Sequence, residues 1–256
     1  MICRFADAAA VSRSAADLFV AGARVAVAAR GRFSVVLSGG RTPEPAYALL
    51  GRNPWRDRTP WPGIHLFWGD ERCVPPEDAR SNAGMARRAL LDHVPVAPQQ
   101  VHPIACTADP AAGAARYDQV LHDHFALPET RPDLVFLGLG ADGHTASLFP
   151  ANPIPSDAGR WAIAVRRPGE RIQRVSLTPA LINAARVVLF LVVGKEKAAI
   201  LDAVIGERSR HGALPARTIK PSTGQMIWMV DDAAAAALPQ NTPWGPAAIP
   251  DAVWRP

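Results

Sequence analysis

Apolar residues fall along this chain in two patterns. Short continuous runs, "FSVVLSGG", "IHLFWGDE", "DLVFLGLG", "RVSLTP", "VVLFLVVG" and "MIWMVDD", are rich in β-branched and aromatic residues and run out into turn residues. Continuous apolar character bounded by turns predicts strands buried on both faces. Between several of them lie segments of helical spacing rich in Ala, Leu and Arg, at residues 8–30, 43–50, 81–92, 111–126 and 195–205. Strands alternating with helices predict right-handed crossovers, and so an α/β fold with a mostly parallel sheet flanked by helices, Rossmann-like in class. Ligands of such sheets bind beyond the carboxyl ends of the strands. The polar clusters that follow the runs are therefore the places to look for chemistry.

Length permits one large domain or two small ones. The Pro-rich stretches 52–62 and 150–155 are short and flanked by strands, so they read as loops, and 1–256 reads as a single domain. From about residue 238 a Pro-rich tail with two tryptophans is expected to wrap the surface or to stay partly disordered. No apolar stretch reaches the roughly 18 residues of a membrane span. Asp7 interrupts the apolar core that a secretion signal would need. Cys3, Cys73 and Cys106 are odd in number and far apart, which predicts neither a disulfide framework nor a zinc knuckle and makes a reducing cytoplasm the default. Net charge is +5, carried almost wholly by scattered arginines. With no basic run, an anionic small molecule fits that charge better than nucleic acid.

Three clusters carry candidate chemistry. In "VVLSGGRTPEPAYALL" a strand ends at Leu37, Ser38-Gly39-Gly40 turns, Thr42 is placed to cap a helix and Pro43 suits its first turn. Amides converging at a helix start make a phosphate cradle; an ordinary strand-to-helix turn has the same sequence. Asp70, Glu71 and Arg72 follow the next strand, emerging on the same sheet edge, and Asn82 starts the helix after them. In "GLGADGHTASLFP" the spacing of Gly138, Gly140 and Gly143 imitates a dinucleotide turn. That turn needs a long helix after its third glycine, and only "HTASLF" precedes Pro150, Pro153 and Pro155. Asp142-Gly143-His144 has a better use: a carboxylate beside an imidazole fixes its tautomer and keeps it basic. A histidine capping a short helix is the alternative. His122 and His124, two apart on a helix, diverge and make poor joint ligands, and His65 reads as structural, so no metal site is expected. Ser38 lacks a nucleophile elbow.

Taken together and in order, "LSGGRTP", "GDERCVPPEDARSN", "LVFLGLGADGHTASLFP", "RVSLTPALINAARVVLFLVVGKEK" and "LPARTIKPSTGQMIWMVDDAAA" resemble the 6-phosphogluconolactonase family over nearly the whole chain. Its fold group includes the glucosamine-6-phosphate deaminases. Those typically read I-A-F-N-E-P after the histidine, where this chain has "TASLFP", and D-E-Y where it has "DER". Arg41 departs from the small Ser or Thr usual in the family.

The resemblance implies hydrolysis of 6-phospho-D-glucono-1,5-lactone without cofactor or metal. His144 would be the general base and Asp142 its orienting partner. Arg72 would stabilise developing charge or hold the phosphate. Ser38, Gly39, Gly40, Arg41, Thr42, Asp70 and Asn82 would line the substrate site. Arg174 and Lys197 would add positive charge for the phosphate. It further implies a cytoplasmic monomer or weak homo-oligomer acting on a small phosphosugar lactone, without nucleic acid or membrane. An amino-sugar phosphate deaminase or isomerase, and a non-enzymatic sugar-phosphate sensor, are the rival readings; residues 1–30 read as one Ala-rich helix, which leaves no room for a sensor's helix-turn-helix.

Overall fold

A computed structural model describes residues 1–107, 109–126, 130–152, 159–206, 214–246 and 251–254. Among them the strands are, in chain order, β1 (Ile2–Phe5), β2 (Phe33–Leu37), β3 (Ile64–Trp68), β4 (Asp70–Arg72), β5 (Val101–His102), β6 (Leu134–Gly138), β7 (Ala162–Arg166), β8 (Gln173–Leu177), β9 (Val187–Val192) and β10 (Gln225–Asp231). The helices are α1 (Ala8–Arg30), α2 (Glu44–Leu50), α3 (Trp55–Arg58), α4 (Asn82–Ala89), α5 (Pro110–His124), α6 (Pro179–Ala184) and α7 (Ala198–Ile205).

The α/β expectation holds. Seven strands form one parallel sheet in the order β1-β10-β9-β6-β2-β3-β5. Every residue of β2 and β9 is buried, as unbroken apolar runs demand. α1 keeps its expected bounds because both ends are marked in the sequence. The Asp7 carboxylate accepts the amide of Ala10, and Gly31 closes the helix at φ 71°, donating to Val27. Its apolar stripe, including Val11, Ala15, Leu18 and Phe19, is buried.

Strand order decides where a ligand can go. From β2 the chain steps through β3 to β5, then returns to the other side of β2 as β6 and continues through β9 to β10. The loops after β2 and β6 therefore part in opposite directions, and the crevice between them is the switch point at which such sheets bind ligands.

Two buried tyrosines hold the strand ends that border this crevice. The Tyr47 hydroxyl accepts the Ser38 amide at 2.9 Å and donates to the Ser38 carbonyl at 3.1 Å. Tyr117 clips Trp68 in the same way, at 2.8 and 3.0 Å. Burial pushes both phenols up, so each stays a neutral donor. Tyr47→Phe keeps the ring's edge contact with Phe136 but strands two buried backbone groups. An unfolding titration is expected to show a loss of about 1–3 kcal/mol; an unchanged midpoint would show that the clip contributes nothing.

Several expectations need correction. "RVSLTP" is not in the parallel sheet. It forms β8, the centre of an antiparallel sheet β4-β8-β7, and Asp70–Arg72 is a strand rather than a free charged loop. After Gly69 the chain leaves the main sheet, and Leu177 donates to the Gly69 carbonyl at 2.8 Å, which docks the small sheet there. Residues 52–62 contain α3 and a 3-10 turn at Trp61–Gly63. Cys73 and Cys106 are joined by a disulfide across 33 positions, and only Cys3 is free. Spacing missed this pair because α4 and β5 lie between the two cysteines, and only the folded path of that segment returns Cys106 to Cys73. In the tail, Gly245 donates to Ile2 at 2.7 Å beside a bridge from Trp244 to Ile2, and buried Trp254 meets Phe33 edge-on. Residues 247–250, 255 and 256 of the tail, and Pro153 and Pro155 of the loop, lie outside the described residues.

Candidate active site

The loop after β6 folds around its own histidine. The Gly140 amide donates to the His144 carbonyl at 2.8 Å, Gly143 donates to Gly140 at 3.0 Å, and Gly143 takes the bend at φ 80°. A Cβ on Gly140 would lie 2.0 Å from Nδ1 of His144. The imidazole therefore rests on a backbone position only glycine leaves open. The three-glycine spacing serves this turn and not a cofactor. No helix follows among the described residues 145–152, where Thr145 and Leu148 form a bridge instead.

Asp142 and His144 both lie on this loop, and Nδ1 of His144 is hydrogen-bonded to Oδ1 of Asp142. Partial burial opposes the charge on Asp142, but the bonds and charge of His144 outweigh it and hold the carboxyl below its usual range. An ionised carboxylate accepts from Nδ1–H, which leaves Nε2 with a free lone pair. Arg167 backs the pair, 3.4 Å from the other Asp142 oxygen and 3.2 Å from Glu170. Phe149 lies beneath them, with its ring centroid 4.9 Å from that of His144 and with Arg167 and Arg174 over its face.

The small sheet brings cations to the same place. Arg72 and Arg174 are direct partners in the antiparallel register of β4 and β8, so their side chains leave the same face. Arg72 donates to the Arg80 carbonyl at 2.8 Å and to Asn82 at 3.3 Å. Arg174 is 7% exposed, pairs with Glu170 at 2.6 Å and keeps a buried Nε–H with no partner among the described residues. A buried donor in that state is costly unless a ligand satisfies it. Glu71 faces inward and caps α4, accepting from Asn82 and Ala83 at 2.8 Å each. Its burial raises its pKa against the pull of those amides. Asp70 and Asn82 border the cleft, but their polar atoms are spent internally. Asp70 accepts from Ser147 at 2.5 Å, and Asn82 donates to Asp70 at 3.1 Å.

These residues surround one cleft of about 220 Å³ at the switch point, bordered by Ser38, Gly39, Gly40, Thr42, Asp70, Arg72, Asn82, His144, Arg174 and Lys197. Lys197 reaches it from the start of α7, two strands from β2. Three readings from the sequence change. Arg41 is exposed and is not among the cleft-lining residues. The Ser38 amide is already occupied by Tyr47, so it adds no donor to the cradle. Thr42 does not cap α2, which begins at Glu44 with no side-chain cap, and Thr42 instead borders the cleft. Asp142 stands behind His144 rather than in the lining. Arg167, Glu170 and Phe149 were missed. "TASLFP" quotes Phe149, but nothing local marks it as a platform.

The chain is similar to known proteins over most of its length. The model of the family described as glucosamine-6-phosphate isomerases/6-phosphogluconolactonase matches residues 6–228. A 6-phosphogluconolactonase of Nostoc is 37% identical over 236 residues, 91% of this chain and 95% of its own. One from Synechocystis is 40% identical over 217 residues, covering 83% and 88%. Among solved structures, the 6-phosphogluconolactonase of Trypanosoma cruzi superposes with a TM-score of 0.81 at 28% identity, covering 94% of this chain and 96% of its own.

Proposed function

The chain belongs to the glucosamine-6-phosphate isomerase/6-phosphogluconolactonase family, and from that premise we infer the reaction and the parts its residues play. It hydrolyses 6-phospho-D-glucono-1,5-lactone to 6-phospho-D-gluconate, the second step of the oxidative pentose phosphate pathway. The observation that carries the mechanism is the Asp142–His144 pair on a cleft that also receives Arg72, Arg174 and Lys197.

In our proposal Nε2 of His144 takes a proton from water as its oxygen attacks the lactone carbonyl. The tetrahedral intermediate then collapses with cleavage of the bond from C1 to the ring oxygen, and the imidazolium returns the proton to that oxygen. Asp142 holds the tautomer and steadies the transient cation. Arg167 keeps Asp142 in place from behind. Gly39, Gly40 and Thr42, with Arg174 and Lys197, receive the phosphate, and Arg72 is the third cation of the cleft. A lactone is an activated ester, so a positioned base and fixed cations meet the needs of the reaction.

The working unit in this proposal is a single chain or weak homo-oligomer in the cytoplasm, acting without nucleic acid or membrane. No described helix is long and apolar enough to cross a membrane. In a reducing compartment the Cys73–Cys106 bond would be under constant attack by thiols.

The test is a pH-stat assay on freshly generated lactone, with ammonia and ketose measured in parallel on amino-sugar and aldose phosphates. Acid release alone supports the lactonase reading; ammonia or ketose would move the chain to the deaminase or isomerase branch. Hydrolysis is also expected to survive exhaustive chelation. A strict requirement for added divalent metal would overturn the His144 mechanism.

A further inference from the structure

Three histidines far apart in sequence converge at the β3–β5 edge of the main sheet. His65 lies on β3, His102 on the short edge strand β5 and His124 at the end of α5. One ring nitrogen of each lies within 4.8 Å of those of the other two. Nδ1 of His65 and Nε2 of His102 are 3.2 Å apart. Bonds of about 2.0–2.1 Å from zinc to imidazole, at tetrahedral angles, put two ligand nitrogens about 3.3 Å apart. All three residues are half-buried, so an ion has a route in from solvent.

We propose that His65, His102 and His124 form a binding site for an imidazole-preferring divalent cation such as zinc, with water completing the coordination. The donor set supports it. Three neutral imidazoles and an open position suit zinc, nickel or copper and not magnesium or calcium. Outer contacts support it as well. Ser34 Oγ is 2.8 Å from Nε2 of His124, and the Ser34 amide donates to Asp133 at 2.8 Å. A serine held this way fixes the orientation of a ligand ring, as partners of metal-bound histidines do. His102 is stacked flat on Phe67, 4.4 Å between centroids, which restrains the second ring.

Arg32 is the opposing feature, since its charge acts on His65 and His124. It weakens cation binding but, being partly exposed, it is free to turn towards water. His122, the other member of the "HDH" pair, takes no part and stacks on Trp161 instead.

The position makes this a structural site rather than a catalytic one. His65 lies five residues before Asp70, about 16 Å upstream along an extended chain at about 3.3 Å per residue. The ion would tie edge strand β5 and the end of α5 to β3. The site is independent of the lactonase reading.

The test uses the tag-free full chain, stripped with a chelator and then freed of it. Zinc chloride titrated against a chromophoric competitor is expected to bind at one equivalent. X-ray absorption should report imidazole nitrogens at zinc distance. At free zinc a hundredfold above Kd, Tm should rise by about 5–10 °C, and magnesium chloride should leave it unchanged. His102→Gln and His124→Gln should each lower zinc affinity at least tenfold, while His93→Ala, His122→Ala and His144→Ala bind as the parent does. Absence of stoichiometric zinc on the parent chain, a spectrum without imidazole, or full binding by both glutamine variants would overturn the proposal. If the glutamine variants do not fold, the absorption spectrum of the parent decides alone.

Discussion

His144→Ala is expected to lower kcat for phosphogluconolactone by about 10²–10⁴-fold, the usual cost of losing a positioned acid-base group, while the chain stays folded. Folding should survive because the imidazole lies over Gly140, on a loop whose turn is held by backbone bonds from Gly140 and Gly143. None of those bonds needs the ring. The lost chemistry is the acceptance of a proton from water and its return to the ring oxygen. KM should move little, since the base makes its main contribution in the transition state. Asp142→Asn should follow in the same direction with a smaller loss, because an amide at that position no longer favours the Nδ1–H tautomer. Rates come from a pH-stat corrected for spontaneous hydrolysis, and circular dichroism checks the fold. Near-parental turnover of His144→Ala would remove it as the base.

Arg174→Ala should act on binding instead. The phosphate does not react, so its contacts hold ground state and transition state alike, and their loss raises KM more than it lowers kcat. A charge-assisted hydrogen bond contributes about 1.5–3 kcal/mol, or about 10- to 150-fold in KM at about 1.4 kcal/mol per decade. Arg174 is expected in the upper part of that range, because its buried Nε–H has no partner among the described residues. Lys197→Ala, from a more exposed position, should fall in the lower part. Neither change should matter for unphosphorylated gluconolactone. That comparison also controls for folding, since Arg174 is nearly buried and its removal disturbs packing on Phe149. Equal losses on both substrates would assign these residues to the fold or the carbonyl. The same pair of substrates places Arg72: a loss confined to the phosphorylated lactone makes it a phosphate ligand, and a loss on both makes it a stabiliser of the oxyanion.

Local pattern determined a good deal of this protein. Unbroken apolar runs such as "VVLFLV" can be satisfied only by burial on both faces, so they marked β2, β6 and β9 and, through them, a parallel sheet. Asp7, through its side-chain cap, and Gly31, through its left-handed backbone, mark both ends of α1 locally. Asp142 and His144 are two residues apart on one tight turn, so their partnership needed nothing from the rest of the chain. Contacts between remote segments were decided otherwise. Arg72 faces Arg174 because β4 and β8 pair in one register, and a register is set by how the small sheet docks on Gly69, not by any short stretch. Strands β5 and β7 are too short or too exposed for periodicity to report. Cys73 meets Cys106, and His65 meets His102 and His124, only because β3, β5 and α5 pack side by side. Burial periodicity is a property of each segment alone, whereas pairing across the chain depends on which folded surfaces fit together, and that fit exists only once the whole sheet has formed.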